Sequence, residues 1–173
     1  MKNIFSALLL LFCFTTFAED GIKFEEKATW KQVLDKAKKE NKFILVDCYT
    51  TWCGPCKWMS KEVFPRTEVG TAINPFFVSA AFDMEKGEGL ELAKKFNIKN
   101  YPTYVFLNAN GEIVHRGLGS MPAEDFLKLC SAALDSNKQY VTLHNKYING
   151  NRENDFLKSF SYVAADAQDS LAN

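Results

Sequence analysis

Phe43-Ile44-Leu45-Val46 is an unbroken apolar run, and seven residues past its end the chain reaches Cys53-Gly54-Pro55-Cys56. Nothing else in the sequence narrows the fold as much. An apolar run of this length suits a strand covered on both faces rather than an edge strand. From Pro55 the pattern turns helical to about Phe64, where Pro65 stops it. A buried strand that passes so quickly into a helix belongs to a sheet with helices packed on it. Cys53 then sits at the carboxyl end of a central strand, where such folds place their sites.

The rest of the chain fits the same scheme. Thr29 and Gln32 form a capping box, after which Trp30, Val33, Leu34 and Ala37 share one helical face. A short helix over 68–73 precedes a strand over 76–82, and Gly87-Glu88-Gly89 opens a helix with Leu90, Ala93 and Phe96 inward. Residues 103–107 read as a third strand, Asn110-Gly111 as a reversal and 112–116 as a fourth strand. Phe126, Leu127, Cys130, Ala133 and Leu134 mark a helix over 122–135. The expected fold class is therefore α/β, a central mixed sheet flanked by helices. Beyond Ser136 a helical hairpin is expected, with Asn149-Gly150 ending its first helix and Phe156, Leu157, Phe160, Val163 and Ala164 lining its second.

The start of the chain bears on how the cysteines are read. Met1-Lys2-Asn3 is a short positive start, Ile4 to Phe14 is apolar apart from Ser6, and Thr16-Phe17-Ala18 supplies the small residues of a secretory cleavage site. The apolar run is too short to span a bilayer, which takes roughly 20 residues. The expected division is a leader over 1–18, one domain over 19–136 and a helical extension over 137–173, with the mature protein exported to the periplasm or its equivalent. With 21 basic and 21 acidic residues the chain has no strong field, so nucleic acid is not an expected partner.

Removal of Cys13 with the leader leaves Cys48, Cys53, Cys56 and Cys130. A disulfide framework compensates for a poor core, and a chain with 15 Phe does not need one. A structural metal wants four ligands, usually two close pairs, and Cys48, Cys130 and His144 are scattered; no metal is expected. A purely structural Cys53–Cys56 bond would close almost no loop and stabilise little. Thiol exchange suits the pair better. Cys53 at the first turn of a helix meets unpaired N–H groups and the positive end of the dipole, which stabilise a thiolate. Cys56, one turn deeper and better shielded, suits the resolving thiol. Pro55 stiffens the loop, and Gly54 permits a tight approach.

"FILVDCYTTWCGPCK", Phe43 to Lys57, resembles the active-site strand and loop of the thioredoxin superfamily. "YPTYVFL", Tyr101 to Leu107, resembles its cis-proline loop, and "NGEIVHRGLG", Asn110 to Gly119, its terminal hairpin. The spacing after the motif is similar to exported members and to the C-terminal domain of the transmembrane disulfide reductase. The resemblance implies a thioredoxin-like fold, Cys53 as nucleophile, Cys56 as resolving cysteine and Pro102 as a cis residue facing them. It implies substrate contacts from Trp52, Gly54, Pro55 and Tyr101. Asp47, six residues before Cys53, matches the buried acid that takes a proton from the resolving thiol, although "FFVSAAFDM" carries no lysine where the family has one near that acid.

The activity so implied is reduction of protein disulfides, with no dissociable cofactor, disulfide-bearing or dithiol proteins as substrates and a membrane protein as electron donor. Two alternatives remain at this stage. The same couple could oxidise or isomerise, and the fold could serve as a partner-binding or holdase module with an incidental cysteine pair. Cys48 and Cys130 read as core residues, with a bond between them left open; His115 and His144 read as solvent-facing.

Overall fold

A computed structural model describes residues 21–167; residues 1–20, which include the expected leader, and residues 168–173 lie outside them. Four strands, β1 (Phe43–Tyr49), β2 (Phe77–Asp83), β3 (Thr103–Leu107) and β4 (Ile113–Leu118), form one mixed sheet in the order β2-β1-β3-β4. β1 pairs parallel with β2 and antiparallel with β3, and β4 returns antiparallel along the edge. The helices are α1 (Trp30–Glu40), α2 (Gly54–Glu62), α3 (Thr67–Ile73), α4 (Glu88–Lys95), α5 (Ala123–Leu134), α6 (Tyr140–Ile148) and α7 (Asn154–Asp166). This is the thioredoxin-like fold with C-terminal helices that the motifs imply.

The apolar run becomes a strand buried on both faces, with Ile44 to Cys48 all buried. Its two-residue period then sorts the core. Ile44, Val46 and Cys48 pack with Val33, Ala37, Leu92 and Phe96 under α1 and α4. Leu45 faces the other way, with Met59, Phe64, Phe126 and Cys130 under α2, α3 and α5. Cys48 and Cys130 thus occupy opposite faces of the sheet, each a buried free thiol, and the bond between them that the sequence left open is not formed.

Local chemistry sets the boundaries. Thr29 accepts from the Gln32 N–H while the Gln32 side chain accepts from the Thr29 N–H, closing the capping box of α1. Ahead of α1, the Ile22 and Glu25 N–H groups donate to Phe64 and Ser79 carbonyls, laying the first described residues along β2. Gly70 allows this: a Cβ there would fall 1.9 Å from the Gly21 carbonyl oxygen.

The extension is a helical hairpin with its own small core of Leu143, Phe160 and Ala164. It lies on the β4 edge of the sheet, which it shields from further pairing. His115 corrects an expectation here. It is not solvent-facing but 2% exposed, and its Nδ1 accepts the Tyr140 N–H at 2.9 Å, fastening α6 to β4. The alternation of β4 decides this, since His115 pairs with the buried Phe106.

Candidate active site

β1 ends at Tyr49, and the chain crosses Thr50 to Trp52 in a turn closed by the Cys53 N–H donating to the Thr50 carbonyl at 3.2 Å. Cys53 is the N-cap of α2, with Pro55 in the first turn, where a missing N–H costs nothing. The Cys56 N–H donates to Cys53 Sγ at 3.1 Å, and the two sulfurs are bonded at 2.06 Å. An N-cap normally offers a side-chain oxygen to the unpaired N–H groups. Here a sulfur holds that position, so negative charge left on Cys53 when the bond opens meets a donor already aimed at it.

One expectation about this loop needs correction. Cys56 is not the better shielded cysteine in the bonded form, since Cys53 is 3% and Cys56 6% exposed. A Cβ on Gly54 would meet nothing within 4 Å, so the chain's own packing does not require glycine there.

Around the pair the surface is aromatic. Trp52 is 64% exposed, and its indole N–H donates to Glu85 at 2.9 Å. Its ring meets Tyr101 edge-on at 5.9 Å, which brings the Tyr101–Pro102 peptide beside the cysteine loop. That peptide is cis. The Pro102 carbonyl accepts from the Gly119 N–H at 2.9 Å, and the Thr103 hydroxyl donates to the Asn100 carbonyl at 2.7 Å, so both flanks of the turn are tied.

Behind the pair lies Asp47, 6% exposed, with Oδ1 unpartnered. It pairs in register with Ala81 on β2 and Tyr104 on β3. Burial alone pushes its pKa up to about 7, so near neutral pH it can hold or release a proton. Ala81, opposite it on β2, offers the carboxylate no charge. The Tyr104 hydroxyl is also unpartnered, and burial holds it in its protonated form. Burial likewise pushes Cys48 and Cys130 well above the ordinary thiol range, leaving both inert as nucleophiles.

Sequence reasoning missed Glu85, Thr50 and Tyr104. Only Tyr104 left a signal: two residues beyond Pro102, it falls beside Asp47 on the same face of the sheet. Among the described residues no group of His, Cys, Asp or Glu could hold a metal, and no helix is long and apolar enough to cross a membrane.

A thioredoxin-like domain family matches residues 30–134. Among curated proteins the chain is 35% identical over 107 residues to thioredoxin H4 of Arabidopsis thaliana, covering 60% of this chain and 83% of that protein. It is 34% identical over 101 residues to the thiol:disulfide interchange protein DsbD of Vibrio cholerae, covering 56% of this chain and 17% of that one. The span is similarly short elsewhere, at 26% of a plant protein disulfide-isomerase. Among solved structures, a Bacteroides thetaiotaomicron protein described as a candidate disulphide-isomerase superposes with TM-score 0.61 at 45% identity, over 68% of this chain and 96% of its own.

Proposed function

The chain belongs to the thioredoxin-like family and carries a Cys-x-x-Cys pair at disulfide distance, and on that premise we propose that it is an exported thiol–disulfide oxidoreductase that reduces protein disulfides. The observation that carries the reading is the Cys53–Cys56 bond at the head of α2, beside an exposed Trp52 and the cis Tyr101–Pro102 peptide. In the reducing direction the Cys53 thiolate attacks one sulfur of a substrate disulfide, and the other leaves as a thiolate that takes a proton. The Cys56 thiol gives its proton to Asp47 and attacks Cys53, releasing the second substrate thiol and re-forming the Cys53–Cys56 bond. Two electrons pass from protein to substrate, and no dissociable cofactor takes part. Trp52, Gly54, Pro55, Tyr101 and Pro102 form the surface against which an extended substrate lies.

The reducing direction is supported by the Gly-Pro pair, which resembles thioredoxin, with a potential of about −270 mV, and not the strong oxidants near about −120 mV. Export is supported by the leader pattern of Met1 to Ala18. The likeness to an interchange protein supports thiol–disulfide exchange with protein substrates, and a membrane electron donor is proposed on the resemblance of the motif spacing to the C-terminal domain of the transmembrane disulfide reductase. Residues 19–136 form the exchange domain in this reading, and 137–173 an appendage to its edge strand.

Equilibrium titration of the pair in graded thiol–disulfide buffers tests the direction. A potential near about −270 mV is expected, whereas one near about −120 mV would make the protein an oxidant. Cys56→Ser should trap mixed disulfides with client proteins, and a pair that never bonds reversibly would leave a binding module.

A further inference from the structure

The turn that follows β2 carries a carboxylate to the rim of the cysteine loop. The Met84 N–H donates to the Tyr49 carbonyl at 2.8 Å, which ties this turn to the end of β1, and Met84 itself is buried. Asp83 fixes the residues beyond: its Oδ1 accepts the Glu85 N–H at 3.1 Å and its carbonyl the Lys86 N–H at 3.0 Å. Glu85 is exposed, yet its backbone is held and its Oε2 accepts the Trp52 indole N–H at 2.9 Å. One such bond leaves most of a carboxylate's acceptor capacity unused. Lys86 does not neutralise it, since that ammonium lies 3.1 Å from Asp83, and among the described residues Glu85 has no ion pair. Its charge reaches the cis peptide as well: burial, and after it the charge of Glu85, push the Tyr101 hydroxyl up. Trp52 offers an exposed ring one residue before Cys53.

We infer that Glu85 and Trp52 together form a subsite for an arginine side chain that lies one or two residues from the substrate cysteine attacked by Cys53. The inference rests on the oxidoreductase reading and names the substrate class of that same site: protein disulfides with a basic flank. Trp52 is adjacent to Cys53, and an extended substrate rises only about 3.3 Å per residue, so a long side chain beside the reacting cysteine reaches the indole. A guanidinium suits both partners at once. It is planar and weakly hydrated, stacks on an aromatic face and donates to a carboxylate through its edge. Indole is the best ring for such a contact, and an N–H already bonded to an anion polarises it further. A lysine ammonium is more strongly hydrated and gives up more water for the same contact. Holding the indole in place needs only an acceptor, which a neutral amide also supplies; the charge of Glu85 is what adds selectivity. Charge complementarity of this kind acts on encounter and on choice of partner more than on raw affinity, and it turns away an acidic flank on the same basis.

The test uses the full chain, pre-reduced, and short peptides whose single cysteine is in mixed disulfide with thionitrobenzoate, which is coloured on release. Peptides with Arg, Gln or Glu beside the cysteine are compared. Each rate is divided by that of the same peptide with mercaptoethanol, which removes the intrinsic effect of charge on the disulfide. The Arg peptide should exceed the Gln peptide by about fivefold in normalised kcat/KM, the scale of an exposed ion pair plus a cation–π contact, and the Glu peptide should fall below both. Salt at about 1 M, where the Debye length is about 3 Å, should remove most of the difference. Glu85→Gln keeps an acceptor for the indole and should bring the Arg and Gln peptides within about twofold of each other. Glu85→Lys should put the Glu peptide ahead. Equal normalised rates in the parent, or the full preference retained in Glu85→Gln, would overturn the subsite. Protein that releases no thionitrobenzoate from any peptide would overturn the reductase reading instead. The subsite is then decided by titrating the oxidised protein with the Arg peptide carrying serine in place of cysteine. The Trp52 indole N–H resonance should shift with that peptide and not with its Gln counterpart, and a signal that responds to neither would overturn the subsite.

Discussion

The two faces of the sheet are built from the same strands and behave as different materials. Toward α1 and α4, β1 offers Ile44, Val46 and Cys48 to a core of Val33, Val78, Val105 and Leu107. Toward α2 and α5 it offers Leu45 and Asp47, and the neighbouring strands add Ser79, Tyr104 and His115 among the aromatic rings. Four side-chain atoms of this second region, on Asp47, Thr50, Ser79 and Tyr104, are buried without a partner. Asp47 and Cys48 are adjacent in sequence yet belong to opposite regimes, because alternate strand residues point to opposite faces. One face supplies cohesion, and the other gives up cohesion to hold groups that can change charge.

The largest expected effect tests the cohesive face. Ile44 is fully buried, and Ile44→Ala should lower the unfolding free energy by about 3 to 4 kcal/mol, the usual cost of lost burial plus a cavity. Measured by urea denaturation, the loss should be the same at pH 5 and pH 8.5, since the groups the variant touches do not titrate there. A pH-dependent loss would mean that the two faces are electrostatically coupled and the contrast is wrong.

Asp47 should show the opposite signature. Its folded pKa is raised to about 7, against about 3.9 in the unfolded chain, so between these values the folded state binds the extra proton. Stability is therefore full at low pH and falls as pH rises through 7. Asp47→Asn keeps the shape and removes the charge. Its stabilising effect should grow by about 3 kcal/mol between pH 5 and pH 8.5, while release of mixed disulfides slows. Equal stabilities of variant and parent at pH 8.5 would mean that the carboxylate finds a partner when it ionises.

How far these faces could be read from sequence depends on what kind of signal each left. The apolar run of Phe43 to Val46 and the capping box of Thr29 and Gln32 are local patterns, and they gave strand, helix and boundary within a few residues. Cys53 and Cys56 were legible because their spacing is a local pattern too, and the cis Pro102 because Tyr101 to Leu107 resembles the family's cis-proline loop. His115 was misread because one residue on a short hairpin strand carries no sign of which face it takes. That depends on the register with Phe106 and on α6 arriving 25 positions later. The open side of Asp47 was invisible for a similar reason: Ala81 is unremarkable until parallel pairing sets it opposite Asp47. Contacts across the sheet leave no mark in sequence unless a motif already reports them.

His115 gives the smallest of the three effects and the sharpest test of whether the polar face reaches the extension. Burial lowers its pKa to about 4, against about 6.5 when unfolded, so over that interval the unfolded or undocked chain binds the extra proton. Stability from this group is full above pH 6.5 and is lost as pH falls toward 4. Protonation also puts a hydrogen on Nδ1, which then cannot accept from the Tyr140 N–H, so the loss should fall first on the docking of α6 and α7. Hydrogen exchange at pH 4.5 should show those helices opening ahead of β1 to β4, with a deficit of about 2 kcal/mol relative to pH 7. His115→Phe should dock more weakly at pH 7 but lose the pH dependence. If the helices and the sheet open together at both pH values, the extension is part of the main cooperative unit, and the polar face ends at β4.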